Sequence, residues 1–299
     1  MLKILFLSIC YTISFYSSTI LGNHFSPLLM IGFRGLLSGF LLLAIRYSYE
    51  HRIKTNFLKY KHHYIYAILF GFVAPFILAA IVLNHLPVVD STIIATVEPI
   101  ITYILAAYFF KEKLSKKQVL YLFLGTTFAF IAIAIEAKVE RVSLISWQEA
   151  VIIIIAFILA LGWLAIGKLV RLKEPEDAIV SIGLIVTGTV AMVMSLFIEN
   201  VQYSIEATPI MLFISMIFFG DLVVTRMRVK LSKEYSATLL SLICIFSPFI
   251  TALHQQLFNY QHYSYKFFLI IIPSLICFVA FYREETKYQK NILIQKGKA

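Results

Sequence analysis

Three ionisable side chains, Arg34, Glu98 and Asp221, lie inside long apolar stretches of the sequence. Placing a charge in the middle of a lipid bilayer costs about 3 kcal/mol or more, so such a residue suggests a functional site. Pro99 follows Glu98 and removes a backbone hydrogen bond, which leaves a carbonyl group that can face a cavity. We expect Glu98 to bind a cationic substrate group or a coupling proton. The alternative is a structural carboxylate that is hydrogen-bonded within its own half of the chain.

Arg34 and Asp221 each allow a structural and a functional interpretation. Arg34 lies among Gly32, Gly35 and Gly39, and such small residues let two helices approach closely. We favour pairing of Arg34 with a carboxylate or with backbone carbonyls over contact with a ligand. Asp221 lies in the half of its stretch that is predicted to face the cytoplasm, where it either binds a cation, gates that side, or is satisfied near the interface.

Further candidate binding residues are polar or aromatic. His254, Gln255 and Gln256 form a polar triplet in the ninth apolar stretch. Histidine titrates near neutral pH, so a proton-linked gate is one interpretation, and a set of hydrogen-bonding groups or an interfacial location is another. Aromatic rings can hold a cation on their faces, although packing or lipid contact is the alternative for each ring. The aromatic candidates are Tyr11, Phe15, Tyr16, Tyr103 and Trp163.

The composition excludes a water-soluble domain. Of 299 residues, 60% are hydrophobic and 14% are charged, with a mean hydropathy of +0.86, and one soluble core cannot hide so much apolar surface. The three cysteines lie within apolar runs without metal-ligand spacing, so we expect neither a disulfide nor a metal. The sequence has no phosphate-binding Gly-rich loop, zinc-protease motif or nucleophile elbow. We therefore predict a protein that is not an enzyme and has no cofactor.

Ten apolar runs are long enough to cross about 30 Å of hydrocarbon. With the N-terminus in the cytoplasm, 22 of the 26 Lys and Arg residues face the cytoplasm and only three face outwards. This asymmetry predicts that both termini are cytoplasmic, and the dispersed basic clusters argue against nucleic-acid binding. The runs lie at about residues 2–21, 27–48, 64–84, 88–110, 116–136, 147–167, 177–198, 207–227, 234–257 and 265–282.

An internal repeat predicts the arrangement of these runs. The segment Glu98 to Thr102, with Pro99, has an echo 149 residues later in Ser247 to Thr251, with Pro248. Each proline is a predicted helix break in the middle of a run, and one final run follows each. We therefore predict an all-α membrane protein with two five-helix halves, 1–140 and 141–284, and a basic cytoplasmic tail, 285–299. Because five is odd, the halves have opposite orientations, as in alternating-access transporters with a substrate site near the membrane midplane.

The segment Leu83 to Ile135 resembles the EamA-type domain of the drug/metabolite transporter superfamily. The resemblance rests on Glu98-Pro99 and on the hairpin Lys111 to Gln118, which matches the pattern (G/K)-E-(K/R)-L-S-x-x-Q. The second half departs from the pattern, because Ser247 replaces the carboxylate and the hairpin is absent. The resemblance implies ten helices and substrates that include amino acids, amines, nucleotide-linked metabolites and drugs.

The prediction that follows is a secondary active transporter in the bacterial inner membrane. It moves a small cationic or zwitterionic metabolite by alternating access, coupled to a proton or a counter-substrate, as a monomer or homodimer among membrane lipids. An S-adenosylmethionine-type exchanger, which Leu257 to Asn259 and Ile270 to Pro273 resemble, and a multidrug or metabolite exporter are the alternatives. A different class, an intramembrane enzyme or lipid-handling protein, would require a carboxylate or histidine site at headgroup level, and His85, Asp90 and His254 facing one pocket would favour it. A non-transporting receptor is a third option.

Overall fold

A computed structural model describes residues 2–22, 24–50, 55–83, 88–136, 147–199, 207–245 and 264–296, together with Phe249 and Gln256. All the regular elements in these ranges are helical. They are α1 (Leu2–Leu21), α2 (Pro27–Glu50), α3 (61–83), α4 (Val88–Phe110), α5 (Lys116–Glu136), α6 (Trp147–Arg171), α7 (Glu176–Ile198), α8 (Ala207–Leu231), α9 (Ala237–Ser241, continued by a 3-10 turn, Leu242–Ile245) and α10 (Tyr265–Lys296).

Within the described residues, seven helices are long and apolar enough to cross a membrane, namely α2, α3, α5, α6, α7, α8 and α10. Shorter apolar stretches in α1 and α4 cover Leu2–Ser14 and Thr96–Phe110. The helices begin within a few residues of the predicted runs, because a membrane crossing requires an uninterrupted apolar segment. In the ninth predicted run, residues 246–257 lie outside the described residues, apart from Phe249 and Gln256.

Helix α10 is longer than the sequence predicts. It continues to Lys296, so the predicted boundary between the second half and the tail at residue 285 falls inside a helix. Glu285 is buried at this point, where its carboxylate accepts hydrogen bonds from the Gln118 side chain and the Ser236 backbone. These bonds anchor α10 beyond its apolar segment and explain why the helix does not end at the expected membrane surface.

Three pairs of helices begin 149 residues apart, the same spacing that separates Pro99 from Pro248. Ser274 on α10 donates a hydrogen bond of 2.8 Å to the carbonyl of Gly125 on α5, again 149 residues away. Helices α3 and α8 also share a feature, since each contains a wide π-helical segment, at Leu69–Val73 and Met216–Thr225. The paired helix starts are Pro27 and Glu176, Val88 and Ala237, and Lys116 and Tyr265.

Small residues bring helices from the two halves into backbone contact. A Cβ on Gly35 of α2 would lie 2.8 Å from the Cα of Gly188 on α7, so the predicted close approach at the α2 glycines is confirmed. Helices α3 and α6 meet in the same way at Gly71 and Gly162. At its other end, α7 is followed by Glu199, whose carboxylate caps the first turn of α2.

Helix α8 lies between two clusters of buried apolar side chains. One cluster joins α1, α5, α9 and α10 and includes Val224 of α8, and the other joins α2, α3, α6 and α7 and includes Val229 of α8. Polar side chains on α8 therefore lie at the boundary between the two clusters, where helices of both halves can reach them.

Candidate functional site

The first buried ion pair of the site joins α2 to the π-helical segment of α8. Asp221 is 0% exposed, and Arg34 donates from Nε to Oδ2 at 2.8 Å and from Nη2 to Oδ1 at 2.7 Å. The Arg34 guanidinium also lies over the Phe76 ring, with Cζ 5.6 Å from the ring centroid. The predicted pairing of Arg34 with a carboxylate is therefore confirmed. π-Helical turns are frequent at functional sites because they redirect a side chain out of the regular helical register.

Because Gly220 has no side chain, there is room beside it for this ion pair. A Cβ at Gly220 would overlap the Ser14 hydroxyl of α1 and would lie 2.9 Å from Nη2 of Arg34. Tyr11, on the preceding turn of α1, interacts electrostatically with Arg34. Four helices, α1, α2, α3 and α8, thus surround the pair, and the glycine before Asp221 is a requirement of that packing.

A second buried ion pair joins α4 to the end of α8. Glu98 is 4% exposed and Arg228 is 7% exposed, and Nη2 of Arg228 donates to Oε1 of Glu98 at 2.9 Å. Cζ of Arg228 lies 4.1 Å from the centroid of the Trp163 ring. The cation on the face of the Trp163 ring is therefore the Arg228 guanidinium of the protein itself. It is held by a cation–π contact and a charge-assisted hydrogen bond.

The structure shows a partner for Arg228 that the sequence did not indicate. The charge count placed this residue among the cytoplasmic basic residues, because Arg226, Lys230 and Lys233 surround it in the sequence. Helix α8 instead continues to Leu231, four residues beyond the predicted end, and Arg228 turns inwards to Glu98. The sequence feature that could have indicated this orientation is the spacing of Arg228 from Asp221, which is seven residues or about two helical turns.

Both ion pairs connect the first half of the chain to α8. Asp221 and Arg228 lie about 10 Å apart along the helix axis and present a carboxylate and a guanidinium to partners of opposite charge, Arg34 and Glu98. Breaking either pair would leave a charge buried without its counter-ion, which costs about 3–5 kcal/mol. Separation of α8 from the first half therefore requires replacement partners such as water or a charged solute.

Polar atoms near the second pair are buried without hydrogen-bond partners among the described residues. They include Oγ1 of Thr102, one turn after Glu98, and Nε1 of Trp163. Leaving such a group unsatisfied costs about 1–3 kcal/mol, so each is a place where water or a polar substrate atom can bind. A cavity of about 20 Å³ beside Trp163 and Arg228 has room for a water molecule and none for an organic solute.

The hairpin between α4 and α5 is held by a capping box. The backbone N–H of Ser115 donates to Oε1 of Gln118 at 2.8 Å, and the N–H of Gln118 donates to the Ser115 hydroxyl at 3.2 Å. These two reciprocal hydrogen bonds satisfy backbone N–H groups at the start of α5. The Gln118 amide also donates to Glu285, which accepts from the Ser236 N–H. The L-S-x-x-Q pattern thus fixes the hairpin of the first half onto the second half.

Glu112 in the same hairpin is a pH-sensitive group. Burial first, and then the negative charge of Glu285, raise its pKa to about 7, although Arg171 and hydrogen bonds at Ser236 and Ala237 oppose the rise. This carboxyl lies outside the membrane-spanning helices and changes charge near neutral pH.

A pH titration of stability tests the Glu112 environment. Because its pKa in the folded protein exceeds the ordinary value of 4.5, the stability that this proton contributes is fully present below pH 4.5 and is lost as the pH rises through 7. We expect the free energy of unfolding to fall by about 2 kcal/mol between about pH 5 and pH 8 from this group. Thermal unfolding in detergent should show a flatter pH profile for Glu112→Gln, whereas Glu284→Gln, which removes an outward-facing carboxylate of α10, should retain the slope.

The remaining predicted site residues are distributed as follows. Pro99 lies buried within α4, which continues through it from Val88 to Phe110, so the helix does not break at Pro99 as predicted. Tyr11 and Tyr103 are partly buried against the cluster that joins α1, α5, α9 and α10. The side chains of Phe15 and Tyr16 lie outside the described residues, as do His254, Gln255, Pro248 and the pocket expected at His85 and Asp90.

Comparisons with known proteins agree with this architecture. Residues 1–135 match the model of the EamA-like transporter family. A solved crystal structure is similar over 95% of this chain and 97% of its own, with a TM-score of 0.77 and 12% sequence identity, which shows a shared fold over both halves. No curated protein matches the chain.

The family match covers the residues that carried the resemblance, namely Glu98-Pro99 and the hairpin Lys111 to Gln118. The EamA family consists of transporters rather than enzymes. Together with the helices that are long and apolar enough to cross a membrane, the match over residues 1–135 supports a multi-pass membrane transporter of the drug/metabolite transporter type.

Proposed function

We propose that this transporter moves a small cationic or zwitterionic organic metabolite across the bacterial inner membrane by alternating access. The observation that carries the proposal is the pair of buried ion pairs, Arg34–Asp221 and Glu98–Arg228, that join the first half to α8. A proton or a counter-substrate supplies the coupling. In this proposal the helices form ten spans with both termini in the cytoplasm.

The ion pairs supply a mechanism for substrate-dependent opening. A solute with an ammonium group can replace Arg228 as the partner of Glu98, and its carboxylate can replace Glu98 as the partner of Arg228. The solute then neutralises both charges when α8 separates from α4, so it stabilises a conformation that is otherwise costly. A ligand shifts a conformational equilibrium by the difference between its affinities for the two states, and partner exchange provides such a difference.

The spacing of 149 residues supports an inverted repeat as the frame for this motion. Paired helices in the proposed halves, 1–140 and 141–284, begin at equivalent positions, and the π-helical segments of α3 and α8 overlap under the same offset. In transporters built from such repeats, rocking of one half against the other exposes a midplane site alternately to the two sides. Here the interface that rocks contains the two ion pairs.

Transport by the purified protein in proteoliposomes tests the proposal. A panel of labelled amino acids, amines and nucleosides is offered with and without an imposed pH gradient. We expect uptake of a cationic or zwitterionic member above that of protein-free vesicles, and a decrease of about tenfold or more for Glu98→Gln, because a charge-assisted hydrogen bond contributes about 1.5–3 kcal/mol.

Glu284→Gln is the matched carboxylate control, because Glu284 lies on α10 away from both pairs, and it should transport at the rate of the unmodified protein. Full transport and unchanged pH dependence in Glu98→Gln would show that Glu98 is structural. The absence of uptake for every solute in the panel would contradict the proposed substrate class.

A further inference from the structure

A groove of about 720 Å³ opens between α3, α4 and α6 at the end of the helices that is predicted to face the cytoplasm. It is separate from the ion pairs, and we call it the basic groove. Its floor is apolar, and its cationic and imidazole side chains lie near the helix ends. The residues that define it are His62, His63, Phe70, Leu161, Lys168 and Arg171.

The polarity of the basic groove changes along its length. On α6, Leu161, Leu164 and Ala165 are followed on the same face by Lys168 and Arg171, at the three- and four-residue spacing of one helical stripe. Leu161 and Arg171 are ten residues apart, a distance of about 15 Å along the helix axis, which equals half of a hydrocarbon core of about 30 Å. The apolar side chains Leu161 to Ala165 cover about the first 6 Å of this length, and Lys168 and Arg171 lie beyond them towards the headgroup level.

Exposed aromatic rings form the other walls. Tyr66 of α3 is 56% exposed and stacks on Phe70, with ring centroids 5.9 Å apart. Phe109 at the end of α4 is 59% exposed. Tyrosine favours the membrane interface because its amphipathic ring sits at headgroup level, whereas the phenylalanine rings add apolar surface. The concave, three-sided shape distinguishes this surface from an ordinary lipid-facing helix.

We propose that the basic groove binds one anionic phospholipid of the inner leaflet, with its phosphate between Lys168 and Arg171 and an acyl chain along Phe70 and Leu161. Two cations at the membrane surface attract an anionic headgroup, each contributing about 1 kcal/mol, and the imidazoles of His62 and His63 add hydrogen-bonding groups. A soluble anion would bind the two cationic side chains but would not contact the apolar floor. The combination of cationic side chains and apolar floor therefore favours a lipid.

Three residues line both the basic groove and the small cavity beside Trp163 and Arg228, namely Phe110, Leu164 and Arg171. A bound lipid would therefore lie one layer of side chains from the Glu98–Arg228 pair. The lipid is positioned to influence the conformation of α8, although its binding does not depend on which solute is transported.

Native mass spectrometry of the delipidated full-length protein tests the proposal directly. Equal concentrations of dioleoyl phosphatidylglycerol and dioleoyl phosphatidylcholine, which share acyl chains, are added to separate samples. We expect one phosphatidylglycerol bound about tenfold more tightly than phosphatidylcholine, and loss of this preference in the double variant Lys168→Gln/Arg171→Gln.

Two variants and one soluble anion separate the basic groove from general surface charge. Lys116→Gln/Lys117→Gln removes two exposed lysines from the same predicted side outside the groove and should retain the preference. The exchange Lys168→Arg/Arg171→Lys keeps both charges and should retain it as well, which controls for folding. Retained preference in Lys168→Gln/Arg171→Gln, equal loss in the Lys116/Lys117 variant, or equal thermal stabilisation by inorganic phosphate would each overturn the proposal.

Discussion

Asp221→Asn is expected to lower the free energy of unfolding by about 3–5 kcal/mol, because it leaves the Arg34 guanidinium without its counter-ion in a buried site. Both hydrogen bonds of Arg34 end on this carboxylate. Asparagine has nearly the same shape and keeps one acceptor oxygen, so the loss measures the missing charge and its hydrogen bond rather than a cavity. Thermal or denaturant unfolding of the purified protein in detergent measures the effect.

A double-mutant cycle separates the ion pair from the side chains that form it. Arg34→Gln/Asp221→Asn removes both charges and should lose less stability than the losses of the two single variants added together, since neutral amides can bond to one another. We expect a coupling energy of about 2–3 kcal/mol, within the range for directly contacting groups. If the two losses simply add in the double variant, Arg34 and Asp221 do not stabilise each other.

Asp177→Asn is the matched control for this cycle. Asp177 binds Arg226 through the same two nitrogens, Nε and Nη2, at 2.5 and 2.9 Å, but the Arg226 side chain is 43% exposed. Water and salt screen an exposed pair, so its loss should cost about 1 kcal/mol or less. Equal destabilisation by Asp177→Asn and Asp221→Asn would show that burial does not determine the strength of these pairs.

The sequence predicts which charges are buried more reliably than it predicts their partners. Arg34, Glu98 and Asp221 are identifiable because an ionisable residue in a long apolar run must face the interior of the helix bundle rather than lipid. Their partners depend on how the helices pack, since Glu98 and Arg228 are 130 residues apart. The inward orientation of Arg228 was not predicted, because a count of basic residues has no information about which side chain turns inwards from the end of a helix.

The positions of the helices were also predictable, while their local irregularities were not. Apolar runs locate most helix starts because lipid requires them, whereas the π-helical segment around Asp221, which packs against α1 and α2, has no such signal in the sequence. The extension of α10 to Lys296 depends on Glu285 meeting Gln118 and Ser236, contacts between distant segments. The hairpin pattern predicted the resemblance to the EamA-type family, and only the hydrogen bonds show that the pattern forms a capping box.

The contact between Gly162 of α6 and Gly71 of α3 is expected to be the most sensitive packing position described. A Cβ on Gly162 would overlap the backbone of Gly71 and of Phe70. Backbone atoms cannot rotate aside as a side chain can, so α3 and α6 must separate. Gly162→Ala should therefore cost about 3 kcal/mol, the upper part of the usual range for overpacking.

The same substitution should also impair transport, because Gly162 directly precedes Trp163, whose ring lies over Arg228. Moving α6 outwards lengthens the contact between Trp163 and Arg228 and loosens the support of the Glu98–Arg228 pair. Thermal unfolding and proteoliposome uptake of the same preparation measure both consequences. We expect a lower midpoint by about 5 °C or more together with slower uptake.

Gly167→Ala supplies the matched control on the same helix, since a Cβ at Gly167 would meet no atom within 4 Å. Alanine is the better helix former by about 1 kcal/mol, so this variant should be as stable as the unmodified protein or slightly more so. Opposite signs for two Gly→Ala changes five residues apart would show that contact with α3, rather than helix propensity, determines the residue at position 162. Equal effects of the two changes would contradict the close approach of α3 and α6.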